Sequence, residues 1–252
     1  MSKLTRILGD VLPHGVARRL LVSRVSKHDA RRWASFYQGF VPRGGLVFDI
    51  GANRGHRVDA FLAGGFRVVA VEPQASCLHG LQSKSKNGTL EVVHAGCGSC
   101  NGEGALQSNG SADVFASLSP TFIQNAKITG KYEDRSWSRT DRVRIVTLDS
   151  LFQQHGKPDF IKIDVEGSEE EVLKGLSEPV AALSFEWSCD LPGAALACVK
   201  RCVDLNMEKF NFSFQESMRF GSENPVSAEN MKQLIRLLGQ DHRMFGDIYA
   251  FS

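Results

Sequence analysis

The chain has 252 residues, 42% of them hydrophobic and 23% charged, with a formal net charge of +2. That composition can bury a core without disulfides or metals and excludes a disordered or fibrous polypeptide. So small a net charge implies no general affinity for nucleic acid, and no apolar run reaches the length of a membrane-spanning helix.

The N-terminal 32 residues hold eight Lys or Arg (Lys3, Arg6, Arg18, Arg19, Arg24, Lys27, Arg31 and Arg32) against two acids, Asp10 and Asp29. Leu4, Ile7, Leu8, Val11 and Leu12 recur at helical spacing until Pro13 and Gly15 end the stripe. Residues 1–40 are therefore expected to form a basic helical arm or lid that packs on one domain spanning 41–252, with peripheral contact to anionic lipid as the alternative. The N-terminus lacks a signal-peptide pattern, so a cytoplasmic location is expected.

The segment LVFDIGANRG follows, with four apolar residues around the single carboxylate of Asp49. It reads as a buried parallel strand (47–51), a tight turn and a helix starting in HRVDAFLAGG. Glycines at 51 and 55 let the backbone take positive φ and let a ligand approach main-chain N–H groups at the helix's positive end. A second strand (68–72) delivers Glu72, 21 residues beyond Gly51, where an acid can accept hydrogen bonds from both hydroxyls of a ribose. The loop lacks the G-x-G-x-x-G of dinucleotide sites, and Asp49 would repel a pyrophosphate but suits an ammonium or sulfonium. These residues point to S-adenosylmethionine rather than NAD.

Further strands are expected at 90–94, 144–147, 160–164 and 182–187, with helices between them, giving a mostly parallel sheet covered on both faces. The six cysteines (Cys77, Cys97, Cys100, Cys189, Cys198 and Cys202) fit reduced thiols. Cys97 and Cys100 form a C-x-x-C that lacks a second pair at zinc-finger spacing and reads as ordinary loop thiols. Residues 101–140 are rich in Gly, Ser and Asn and read as a polar insertion, either a cover over the ligand site or a surface excursion. The tail from Lys209 suggests two closing antiparallel strands around a helix at 228–238.

FDIGANRG, VEP, VTLDSL (146–151) and IKIDVEGSE (161–169), in this order, resemble the FkbM-type family of S-adenosylmethionine-dependent O-methyltransferases over about residues 45–187. The resemblance implies a Rossmann-like class I methyltransferase fold with a mostly parallel seven-stranded sheet, helices on both faces and an antiparallel edge. It also implies methyl transfer to a hydroxyl of a sugar, glycan or similar small molecule. The cofactor contacts are then expected at Asp49, Gly51, Ala52, Asn53, Gly55, Glu72 and Pro73, with Asp164 facing the transfer centre.

A hydroxyl needs a base within hydrogen-bond reach, and open α/β sheets bind ligands at the C-terminal ends of their strands. Asp164, Glu166 and Glu186 stand there, and Lys162 shares a strand face with Asp164, able to pair with it or to orient the acceptor. Glu166 is equally suited to capping the following helix. His56 and His94 are further candidate bases. No metal is demanded, although Asp164, Glu166 and Glu186 would suit magnesium. A cofactor-binding scaffold without transfer activity and an NAD-dependent reductase are the competing readings. The oligomeric state is not legible.

Overall fold

The computed structural model describes residues 27–252 apart from 86, 111–112, 129–136, 190 and 240–243. The apolar stripe expected between Leu4 and Leu12 lies outside the described residues.

The first described helix, α1 (Lys27–Tyr37), leads into β1 (Leu46–Ile50), α2 (His56–Ala63), β2 (Arg67–Val71), α3 (Ala75–Gln82), β3 (Leu90–Val93) and β4 (Gly96–Cys97). Then come β5 (Gly102–Ser108), α4 (Pro120–Ile128), β6 (Arg139–Val146), α5 (Leu148–His155), β7 (Phe160–Ile163) and α6 (Glu169–Lys174). The chain finishes with β8 (Ala182–Ser188), α7 (Pro192–Asp204), β9 (Lys209–Phe214), β10 (Val226–Ser227), α8 (Ala228–Leu238) and β11 (Phe245–Phe251).

The main sheet has eight strands in the order β10-β9-β11-β8-β7-β1-β2-β3, the expected seven plus the two-residue β10 at one edge. β1 is central because every residue of LVFDI is buried, and it pairs in parallel with β2 on one side and β7 on the other. β11 runs antiparallel between β8 and β9, which makes the expected antiparallel edge. On one face Phe48, Ile50, Ile161 and Ile163 pack under α5, α6, α7 and α8; on the other Val47, Val68 and Phe160 pack under α1, α2 and α3. Both faces are thus dry, as a parallel sheet requires.

One expectation about the middle of the chain is corrected. The strand expected at 144–147 does not join the main sheet; it is the end of the longer β6, which pairs with β4 and β5 in a separate three-stranded sheet. Alternating exposure along β6 shows why, since only one face is covered. The described part of the insertion 101–140 carries regular structure: β5 pairs with β6 along its whole length and α4 buries Phe122, Ile123 and Ala126.

α1 belongs to the domain rather than standing off it. Trp33 and Tyr37 are buried in the same cluster as Val58 and Phe61 of α2. No helix among the described residues is long and apolar enough to cross a membrane.

Candidate active site

Gly51 ends β1 where the sheet opens. Its φ is +86°, and a Cβ there would lie 1.9 Å from the backbone oxygen of Asp164, so only glycine lets the ends of β1 and β7 come this close. Gly55, at φ +76°, turns the chain into α2, and a Cβ there would meet Leu81 and Lys84. Beyond these strand ends lies a cleft of about 1120 Å³, its open mouth included. Asp49, Gly51, Ala52, Asn53, Glu72 and Pro73 all line it; Gly55 shapes the turn behind it.

Asp49 pairs in register with Ala70 on one side and Lys162 on the other. Its carboxylate is buried and Oδ2 has no hydrogen-bond partner. Burial pushes its pKa up to about 6, against the pull of Lys162 and Arg57. A buried acceptor without a donor is costly, and a ligand bringing a cation or N–H to the cleft would relieve it.

Glu72 is held differently. Its Oε2 accepts from the Asn53 amide at 2.7 Å and its Oε1 from the Gln74 amide at 2.8 Å, which fixes the carboxylate and leaves each oxygen a further lone pair for a hydroxyl. Burial outweighs these two bonds and raises its pKa to about 7. The insertion closes over this end of the cleft: the Asp113 carbonyl accepts from Asn53 Nδ2 at 3.0 Å and from Gln74 Nε2 at 2.9 Å, while the Asp113 amide donates to Gln74 Oε1 at 2.7 Å. Of the two readings of the insertion, a cover over the ligand site is the one that matches this wall.

At the opposite side, β7 brings Lys162 and Asp164 to one face. Lys162 is almost fully buried and pairs with Asp164, its Nζ 2.8 Å from Asp164 Oδ2 and 3.9 Å from Asp247 Oδ1. Burial opposes its charge, but Asp164 and then Asp247 outweigh that and keep it protonated, with its pKa above the ordinary lysine value. Asp164 is about one-third exposed and, with Glu166, lines the cleft.

Glu166 takes a left-handed backbone, φ +52°, and its carbonyl accepts from Ser117 Oγ at 2.7 Å. The task of holding this loop falls to Glu169, which accepts from the amides of Val165 and Gly167. Glu186 stands off the main cleft and lines a second cavity that also touches Glu166. Even so, carboxylate oxygens of Asp164, Glu166 and Glu186 all lie within 4.8 Å of one another, a set of hard donors suited to magnesium.

His56 lines the cleft, with its pKa lowered by burial and then by Lys84. His94 is instead on the Pro73 carbonyl, 3.0 Å away, and is not among the residues lining the cleft. All six cysteines are free; Cys97 lies on the cleft wall, where burial pushes its thiol up to about 12.

Several wall residues escape sequence reasoning. Arg57 pairs with Glu216, lies 4.0 Å from Asp247 Oδ2 and stacks over Trp33 with 4.0 Å between guanidinium and ring centroid. Arg32 of α1 donates to the Ser217 carbonyl. α1, α2 and the loop after β9 thus meet at one side of the cleft. Gln74, directly after the VEP segment, was within reach of sequence; Glu216 on the wall and Asp247 behind it, far along the chain, carried no local signal.

Residues 49–235 match the family model described as the methyltransferase FkbM domain. The chain belongs to the FkbM methyltransferase family. The family match runs well beyond Trp187, where the recognisable motifs stop, and takes in the closing strand β9 and most of α8. No curated protein sequence matches the chain.

Among solved structures it is similar to precorrin-6y C5,15-methyltransferase from Geobacter metallireducens, at 12% identity and TM-score 0.42 over 88% of this chain and 87% of that one. A SAM-dependent methyltransferase from Archaeoglobus fulgidus gives 11% and 0.43 over 90% and 95%. A TehB-like SAM-dependent methyltransferase from Corynebacterium glutamicum gives 10% and 0.44 over 93% and 94%. The FkbM-family chain has the class I methyltransferase fold, with the cleft at the C-terminal ends of its parallel strands.

Proposed function

We propose that this member of the FkbM family is an O-methyltransferase that uses S-adenosylmethionine to methylate a hydroxyl of a sugar, glycan or similar small molecule. The observation that carries this reading is one cleft holding the unpartnered Asp49 Oδ2 and the amide-fixed Glu72 on one wall and the Asp164–Lys162 pair on the other. The first wall suits a cation and a ribose; the second offers a fixed carboxylate to a hydroxyl.

The bound cofactor supplies an activated methyl group on a sulfonium. Asp49 sets negative charge against the cofactor's ammonium or sulfonium, Glu72 accepts its ribose hydroxyls, and the loop from Gly51 to Pro73 shapes the wall between them. Asp164 is the base in this reading: it accepts the acceptor's proton at a carboxylate oxygen, and Lys162 fixes that carboxylate through Oδ2. Holding the two reactants in line supplies much of the acceleration. Magnesium at Asp164, Glu166 and Glu186 is an optional part of this reading.

Calorimetry with S-adenosylmethionine and NAD, with Asp49→Ala as control, tests the cofactor half. Tight S-adenosylmethionine binding that is lost in the variant supports it, and then a screen of sugar acceptors with and without magnesium tests transfer. NAD binding in its place would favour the reductase, and cofactor binding without transfer to any hydroxyl would favour the scaffold.

A further inference from the structure

Phe220, in the loop after β9, is 37% exposed and stands in ring contact with Phe36 of α1, Phe40 and Phe251, at centroid distances of 4.8, 5.7 and 6.1 Å. Those three rings are themselves only partly buried, so the four phenylalanines make one continuous aromatic surface. A patch of this kind on a folded domain marks a contact with something else. Its loop is firmly held: the Gly221 amide donates to the Phe212 carbonyl at 2.7 Å, the Gln215 amide to the Phe245 carbonyl at 2.9 Å, and Arg32 to the Ser217 carbonyl. Gln215 and Met218 both sit at φ +48°, a left-handed backbone that residues with a side chain rarely adopt and that persists only where the surroundings impose it.

Cations rim the rings. Arg219 directly precedes Phe220, Arg31 and Arg32 lie on the exposed side of α1 about a turn before Phe36, Arg43 follows Phe40 by three residues, and Lys209 stands opposite Phe251 in the β9–β11 register. Against these exposed cations stand the exposed Glu208 and Glu223 and the half-buried Asp29, while Glu216 is already paired with Arg57. The chain that arrives at α1 adds to the imbalance, since residues 1–26 hold Lys3, Arg6, Arg18, Arg19 and Arg24 against Asp10 alone.

We propose that this face docks the protein on the anionic surface of a lipid bilayer, with Phe220 entering the headgroup boundary and the arginines against lipid phosphates. Aromatic rings alone would suit an apolar protein partner, and cations alone a soluble polyanion. Rings rimmed by cations, at the point where a basic segment joins the domain, match the polarity and charge of a bilayer surface. Trp33 of the same helix and Glu216 of the same loop line the main cleft, so docking sets the cleft beside the bilayer.

Co-sedimentation of the full chain with phosphatidylcholine vesicles, plain or with about 30% phosphatidylglycerol, at about 0.1 M salt tests this. Binding to the anionic vesicles should be at least about tenfold tighter than to plain ones and should weaken as salt rises. Arg219→Glu and Phe220→Ser should each weaken it at least about fivefold. Arg144→Glu makes the same change of net charge at an exposed position of β6 and should bind as wild type does. Arg219→Glu leaves the aromatic packing whole, so it decides the matter if Phe220→Ser lowers Tm. The docking face is overturned by wild-type protein that stays off anionic vesicles, by Arg219→Glu binding as wild type does, or by an equal loss in Arg144→Glu and Arg219→Glu. Wild-type protein that dimerises in vesicle-free buffer, with the dimer lost in Phe220→Ser, would give the face to a second copy and overturn it as well.

Discussion

Asp49 and Glu72 are both buried carboxyls in one cleft, yet their surroundings assign them different work. Glu72 is satisfied by two backbone amides and so is fixed, whereas Asp49, which also lines the cleft, keeps a buried Oδ2 with no donor. Glu72→Ala should therefore weaken S-adenosylmethionine binding by about 1.5–3 kcal/mol, the worth of hydrogen bonds to a charged group, while the fold stays intact; unchanged affinity by calorimetry would sink the ribose assignment. The same two residues make binding depend on pH. Burial raises their pKa values to about 6 and about 7, and a cationic ligand with hydroxyl donors favours the ionised forms. Affinity should therefore rise as pH climbs through this range, with protons released on binding. Titrations near pH 6 in two buffers of different ionisation enthalpy measure that release, and an affinity flat from about pH 5 to 8 would contradict it.

Among the elements, the glycine turn between β1 and α2 was legible because a buried strand, a glycine with positive φ and a following helix leave a local pattern. The arrangement around Arg57 was not. It depends on α1, α2, the loop after β9 and β11, brought together from across the chain: Arg57 stacks on Trp33, pairs with Glu216 and faces Asp247, while Arg32 holds the Ser217 carbonyl. Arg57→Ala should cost about 3 kcal/mol, because it strips Glu216 and the buried Asp247 of a cation. Hydrogen exchange should quicken in residues 215–221 and in α1 together. Faster exchange in only one of them would show that Arg57 does not join them.

At the scale of the molecule, four buried carboxyls among the described residues have raised pKa values, chiefly by burial: Asp49, Glu72 and Glu169, lifted from ordinary values of 3.8 to 4.5 to about 6, 7 and 7, and Asp247. Folding favours their protonated forms, so this contribution to stability is fully present below the ordinary values and is lost as pH rises through the folded-state values. Tm of the ligand-free protein should accordingly fall between about pH 4 and pH 7, and the rise in Tm caused by S-adenosylmethionine should grow over the same interval. A ligand-induced shift that shrinks with pH would place the binding charge elsewhere.

What the sequence determined by itself was whatever depends on neighbours along the chain. LVFDI is apolar enough to be a central strand, GANRG can only be a turn, Glu72 follows a strand at the right distance, and the α8 segment has a clear helical period; these suffice for the fold class and for one wall of the cleft. Only the tertiary structure decided the other wall. Whether Lys162 reached solvent or lay buried against Asp164 and Asp247 depended on β7 being central, and the departure of β6 from the main sheet depended on a pairing partner, β5, that local polarity concealed. Glu186 likewise shares a strand-end position with Asp164 in the sequence pattern but faces a second cavity, because α4 and α7 close around it. Local periodicity reports which face of an element is apolar; which distant element covers that face is set by packing, and the charges trapped at those contacts make the site.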